Sequence, residues 1–167
     1  VPPHHRVAGS IAPLEDCYRP DLSPKGSRPE HREMAQLLAG EGCDLLLVET
    51  FANIEESWIA IEEGMNAGLP VWASFTAGPD ANLLTPEALH LAAVGAVERG
   101  ASAVLINCVP SESVGIFLPA LADSGATRFG AYANAGSADH SIGWSSDHSV
   151  GAEKYSGWVD SWIRGGA

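Results

Sequence analysis

Asp44-Leu45-Leu46-Leu47-Val48-Glu49-Thr50-Phe51 is the stretch that decides the fold. Four consecutive apolar residues leave no polar face, as in a strand buried on both sides by helices in a parallel sheet. A core helix segment is the competing reading, but a run this short favours strand. Four other runs read the same way: Val7–Ile11, Pro70–Thr76, Ser102–Asn107 and Arg128–Ala133. From Asp44 onward the runs begin 26, 32 and 26 residues apart, the length of a βα unit. Between them lie helical periodicities. Residues 30–42 place Met34, Leu37 and Leu38 on one face, and residues 54–67 group Trp58, Ile61 and Met65. Residues 86–99 carry Leu89, Ala92, Ala93, Ala96 and Val97 at i, i+3, i+4, i+7 and i+8, with Thr85 as N-cap, Pro86 opening the helix and Gly100 stopping it. A shorter helix over 111–123 is disturbed by Pro119, and residues 152–164 repeat the pattern with Tyr155, Trp158 and Trp162. Residues 19–29 and 136–151 read as loops. The order is strand, helix, five times over, which predicts an α/β fold with right-handed crossovers.

The chain has 167 residues, 46% of them hydrophobic, enough for one core and short for two domains. Nine Lys+Arg against 21 Asp+Glu give a net charge of −12. That balance argues against nucleic-acid backbones and anionic membranes. No apolar run approaches the roughly 20 residues of a membrane span, and residues 1–9 lack a signal-peptide core. Three widely spaced cysteines, at 17, 43 and 108, make no disulfide framework and suit a reducing cytoplasm.

In parallel α/β folds the chemistry sits at the carboxyl ends of the strands. Those ends carry Glu49 and Thr50, then Ser74 and Thr76, then Asn107 and Cys108, then Tyr132 and Asn134. If the strands share a sheet, these eight converge on one mouth. A lone strand-end polar residue commonly bonds loop backbone; recurrence in register is harder to explain that way. A carboxylate directly after Leu-Leu-Leu-Val needs a partner, either a loop guanidinium such as Arg19 or a ligand ammonium. Cys108 is placed to act as nucleophile or metal ligand, whereas Cys43 reads as a small core residue. A zinc site joining His140 and His148 to Cys108 has no recognised spacing. GxGxxG after a strand, P-loop, HExxH and GxSxG motifs are absent.

At the same strand ends the sequence resembles the homocysteine S-methyltransferase family. The segments are Val7-Ala8-Gly9-Ser10-Ile11-Ala12-Pro13, Asp44 to Phe51, Pro70 to Thr76, Ala103 to Cys108 and Tyr132 to Gly136, in the family's order. The resemblance implies a (β/α)₈ TIM barrel that binds Zn²⁺ through three thiolates. Cys108 would be the first, and a Gly-Gly-Cys-Cys segment would supply the other two. It implies that Glu49 holds the homocysteine amino group, with Thr50, Ser74, Thr76, Asn107, Tyr132 and Asn134 near the substrate. The implied reaction moves a methyl group from a sulfonium donor, S-methylmethionine or S-adenosylmethionine, to the zinc-activated thiolate of homocysteine, giving methionine.

The sequence departs from that pattern. It contains no Gly-Gly-Cys-Cys segment and ends Trp162-Ile163-Arg164-Gly165-Gly166-Ala167. On this alignment residues 1–167 form a single partial domain of about five βα units, strands three to seven, without the first two strands and the last. A barrel of this kind takes about 250 residues. The expectation is a chain that is inactive alone, with open sheet edges prone to self-association. Two other readings remain open: a non-catalytic amino-acid-binding module built on this barrel, and a different α/β enzyme with Cys108 as nucleophile.

Overall fold

The computed structural model describes residues 5–134, 138–139, 143–144 and 148–167. Five parallel strands form one sheet: β1 (Ala8–Ile11), β2 (Leu45–Phe51), β3 (Val71–Phe75), β4 (Ala103–Pro110) and β5 (Phe129–Asn134). Their spatial order is their chain order. The crossovers are α1 (Arg28–Gly40), α2 (Ile54–Asn66), α3 (Pro86–Glu98) and α4 (Val114–Ala122), followed by α5 (His148–Arg164). Right-handed crossovers between strands taken in sequence put every helix on the same face. A doubly wound sheet would reverse its strand order. This is the arrangement of a section of a (β/α) barrel.

Curvature points the same way. Tyr132 on β5 donates a hydrogen bond to Glu49 on β2 at 2.5 Å. The two strands are three spacings apart, roughly 14 Å on a flat sheet. The side chains bridge that gap because the sheet curls toward its helix-free face.

The helix-covered face holds the core. Ile11, Leu46, Val48, Val71, Ala73, Phe75, Val104 and Ile106 are all 2% exposed or less. The alternate residues Leu47, Trp72 and Leu105 are only half-buried. So these strands are sealed on one face by this chain, not on both as their apolar runs imply. The helix over 86–98 forms as its sequence predicts: Thr85 accepts from the Ala88 N–H at 3.2 Å, and Gly100 follows at φ +97°. Pro119 stays inside α4, which runs on to Ala122 after a 3₁₀ turn over Ser111–Ser113. The region 136–151 is not simply a loop. It contains a two-residue antiparallel pairing of β6 (Ala138–Asp139) with β7 (Gly143–Trp144), and α5 begins at His148.

The face of α1 differs from its apolar pattern. Met34 and Leu37 are 47% and 56% exposed, while His31 and Ala35 are buried. His31 enters the core because it meets a carboxylate there, Glu56. Met34 and Leu37 instead line an open cleft of about 530 Å³ with Ser10, Ile11 and Pro13, beside β1.

Helices α2 and α3 approach closely through Gly95. Trp58 donates to the Ala92 carbonyl at 3.1 Å, and the Arg99 guanidinium stacks on its ring at 4.3 Å. A Cβ on Gly95 would lie 2.5 Å from the indole. Alanine normally improves a helix by about 1 kcal/mol, but here overpacking wins. Gly95→Ala should lower stability by about 1–3 kcal/mol, read as a reduced unfolding midpoint.

An ion-pair network joins α1, α2 and the end of α3 around the buried Glu63 carboxylate. Arg28 contacts Glu62 at 2.7 Å and Glu63 at 2.6 Å, Arg32 contacts Glu63 at 2.8 Å, and Arg99 contacts Glu62 at 3.0 Å. Arg32 and Arg28 hold the Glu63 carboxyl below the ordinary range, and Arg28 and Arg99 do the same for Glu62. Carboxyls depressed in the folded state contribute stability above their unfolded value of about 4.3 and lose it as pH falls below that value. Thermal stability should therefore hold above about pH 5 and decline toward pH 3. Glu63→Gln should flatten that acid limb, as measured by melting temperature against pH.

Candidate functional site

The carboxyl ends of β1 to β5 share one hydrogen-bonded network on the concave face. It starts at Ser10, whose hydroxyl donates to Glu49 Oε1 at 2.5 Å. Tyr132 donates to Glu49 Oε2 at 2.5 Å. Ser74 lies near the Tyr132 hydroxyl and donates to Asn107 Oδ1 at 2.8 Å. Burial first, and the hydrogen bond to Glu49 second, push the Tyr132 hydroxyl well above its ordinary value. It stays protonated as a donor to the carboxylate. Arg19 does not reach Glu49; it pairs with Asp21 at 2.7 Å. Of the two partners considered for Glu49, the loop arginine is therefore excluded.

Asn107 is the hub. It is fully buried and its carboxamide is saturated. Oδ1 accepts from Ser74 and from the Thr50 N–H at 3.2 Å. Nδ2 donates to Thr50 Oγ1 at 2.7 Å and to Cys108 Sγ at 3.2 Å. Both residues it grips have left-handed backbone, Thr50 at φ +67° and Cys108 at φ +53°. A β-branched residue there is an outlier, and such strain persists only where surroundings enforce it. The strand pairings shift register at the same two places, between Val48 and Phe51 and between Asn107 and Pro110. These bulges turn Thr50 and Cys108 into the mouth.

The sequence-predicted residues divide accordingly. Glu49, Thr50, Ser74, Asn107, Cys108 and Tyr132 form the network. Thr76 is fully buried and spends its hydroxyl on backbone: it donates to the Cys108 carbonyl at 3.4 Å and accepts from the Gly78 N–H at 3.0 Å. Asn134 sits at the end of β5, where its carbonyl accepts from Ser111 Oγ at 2.7 Å; its Nδ2 is buried with no partner among the described residues. Sequence reasoning left out three neighbours. Ser10 occupies the same strand-end position as the others, and that position was its only signal. Tyr18 and Cys17 belong to the β1–α1 loop, whose path over the mouth no local pattern reveals. Tyr18 lies close to Cys108; burial, with Cys108 and Cys17 beside it, pushes its hydroxyl up to about 12. Cys17 is likewise raised, by burial first, then by Asp16 and Cys108.

A catalytic zinc site takes three protein ligands and keeps one position open. Among the described residues no group of three His, Cys, Asp or Glu could hold a metal ion. Cys108 offers one thiol, so these residues alone do not fit zinc. His140 lies outside the described residues.

A one-sided parallel sheet with its polar network at the carboxyl ends of the strands is the plan of a barrel enzyme. The particular family follows from comparison: the homocysteine S-methyltransferase family model matches residues 2–167, and the chain belongs to that family of methyltransferases. It is 26% identical over 156 residues to homocysteine S-methyltransferase 4 of Zea mays, covering 90% of this chain and 46% of the relative. It is 28% identical over 143 residues to a selenocysteine Se-methyltransferase of Brassica oleracea var. italica, covering 81% and 41%. The chain thus spans less than half the length of these curated relatives. Among solved structures, a type I 3-dehydroquinate dehydratase from Clostridium difficile is similar at TM-score 0.45 and 20% identity, covering 64% of this chain and 44% of that one.

Proposed function

We propose that the mouth binds homocysteine and serves methyl transfer to its thiol. The observation that carries this reading is Glu49. Its two oxygens are oriented by hydroxyls from β1 and β5, and among the described residues no guanidinium pairs with it. A carboxylate so placed suits the ammonium of an amino acid. The amino acid's thiol would then lie toward Cys108 and Thr50. Asn107 is saturated and buried, so its part is to hold Thr50 and Cys108 rather than to touch substrate. In the reaction the homocysteine thiol gives up its proton to solvent and the thiolate sulfur attacks the methyl carbon of a sulfonium donor, S-methylmethionine or S-adenosylmethionine. The new S–CH₃ bond forms as the old one breaks, and the donor leaves as a neutral thioether. The product is methionine.

Cys108 is one candidate thiolate for zinc, and the remaining ligands would come from outside the described residues. On this reading residues 1–167 are one domain, strands three to seven of the family barrel, and the outer edges of β1 and β5 are where further strands or a second copy join. No helix among the described residues is long and apolar enough to cross a membrane. With three free cysteines, we place the protein in the cytoplasm.

A second reading is an amino-acid-binding module without catalysis, favoured by the lack, among the described residues, of any three-ligand group that could hold a metal ion. The assay that bears on both is methyl transfer to homocysteine on the purified chain, with zinc stoichiometry measured alongside; turnover excludes the second reading. We expect binding of homocysteine with substoichiometric zinc and no turnover from these residues alone. Tight one-to-one zinc with turnover would overturn the inactivity of the chain by itself.

A further inference from the structure

The β1–α1 loop has no secondary structure of its own beyond the 3₁₀ turn Pro20–Leu22, yet it brings Tyr18 close to Cys108. Something must hold it there. The first turn of α2 does so. Asn53, the N-cap, donates from Nδ2 to the Pro20 carbonyl at 3.0 Å. Glu56, three residues on, is 2% exposed. Its Oε1 accepts from the Leu14 N–H at 2.9 Å and faces His31 Nε2 at 3.1 Å; its Oε2 accepts from Ser23 Oγ at 2.6 Å. A glutamate at this helical position ordinarily reaches back to the N-cap N–H, as in a capping box. Glu56 instead spends both oxygens on other elements. The loop is pinned at Leu14 on one side of Tyr18 and at Pro20 and Ser23 on the other. The anchor is rigid, because α2 follows directly on the strand that carries Glu49.

We infer that Glu56 is a positioning residue for the mouth: it ties the β1–α1 loop to α2 and α1 and so sets Tyr18 against Cys108. The idea rests on the homocysteine reading only for its binding readout. The test is amide hydrogen exchange over residues 12–23, combined with homocysteine affinity by calorimetry. Glu56→Gln keeps the shape but removes the charge that strengthens the bonds to the Leu14 N–H and His31, and its amide nitrogen keeps Ser23 only if that hydroxyl turns to accept. It should speed exchange over 12–23 at least tenfold and weaken homocysteine at least fivefold, with β3 and β4 exchange unchanged. Ser23→Ala, which loses one clamp bond at a half-buried site, should do the same to a smaller degree, and Ser23→Thr, which keeps the hydroxyl, should match wild type. Should Glu56→Gln fail to fold, the Ser23 pair decides the matter alone. Unchanged exchange over 12–23 in the variants overturns the clamp. Faster exchange with unchanged affinity overturns its positioning role. A wild-type chain that binds no homocysteine removes the amino-acid reading instead, and the exchange result alone then decides the clamp.

Discussion

Glu49→Gln should weaken homocysteine binding about thirtyfold while leaving the melting temperature nearly unchanged. Removing one partner of a desolvated, hydrogen-bonded charge pair costs about 2–5 kcal/mol. Glu49 is half-buried, so the lower end applies, and about 2 kcal/mol is roughly thirtyfold in affinity. The fold tolerates the change because the carboxamide oxygen still accepts from one of the two hydroxyls, Ser10 or Tyr132. Calorimetric titration of both forms reads the difference. Tyr132→Phe, which frees one Glu49 oxygen, should give a smaller loss of severalfold. An equal affinity in wild type and Glu49→Gln would remove the carboxylate from the site.

The second large effect is structural. Asn107→Ala should destabilise the chain by about 3–5 kcal/mol. The substitution deletes four hydrogen bonds at once and strands the Thr50 N–H and the Ser74 hydroxyl in a buried place. Each stranded group costs about 1–3 kcal/mol. It also leaves Thr50 and Cys108 in left-handed backbone with nothing to hold them there. Ser74→Ala removes one donor to the same carboxamide and should cost about 1 kcal/mol. Denaturant unfolding of the two variants measures the contrast. Similar losses for both would mean that Asn107 is an ordinary buried amide.

These two residues also mark how far the sequence could be read. Leu45 to Val48 announced a strand through their apolar run, and Glu49 stood out because a carboxylate followed them. What the run could not announce is that one face of the sheet is left half-open, since that depends on which elements cover it. Strand ends were harder still. β2 and β4 continue through Thr50 and through Cys108 to Pro110 because bulges carry them. Thr and Cys at positive φ give no local signal of one, where a glycine would have. The convergence of Ser10, Glu49 and Tyr132 required curvature, a property of the whole sheet. Likewise the inward face of α1 is set by His31 meeting Glu56 across 25 positions of chain. An apolar periodicity over Met34, Leu37 and Leu38 finds Leu38, which packs on the core, but Met34 and Leu37 fall on the outer side.

A crystal structure of the chain with bound homocysteine tests the central claim most directly. The expected result is an ammonium nitrogen about 3 Å from the Glu49 carboxylate, with the thiol directed to Cys108. Homocysteine bound away from the strand ends, or with its ammonium turned from Glu49, would contradict it.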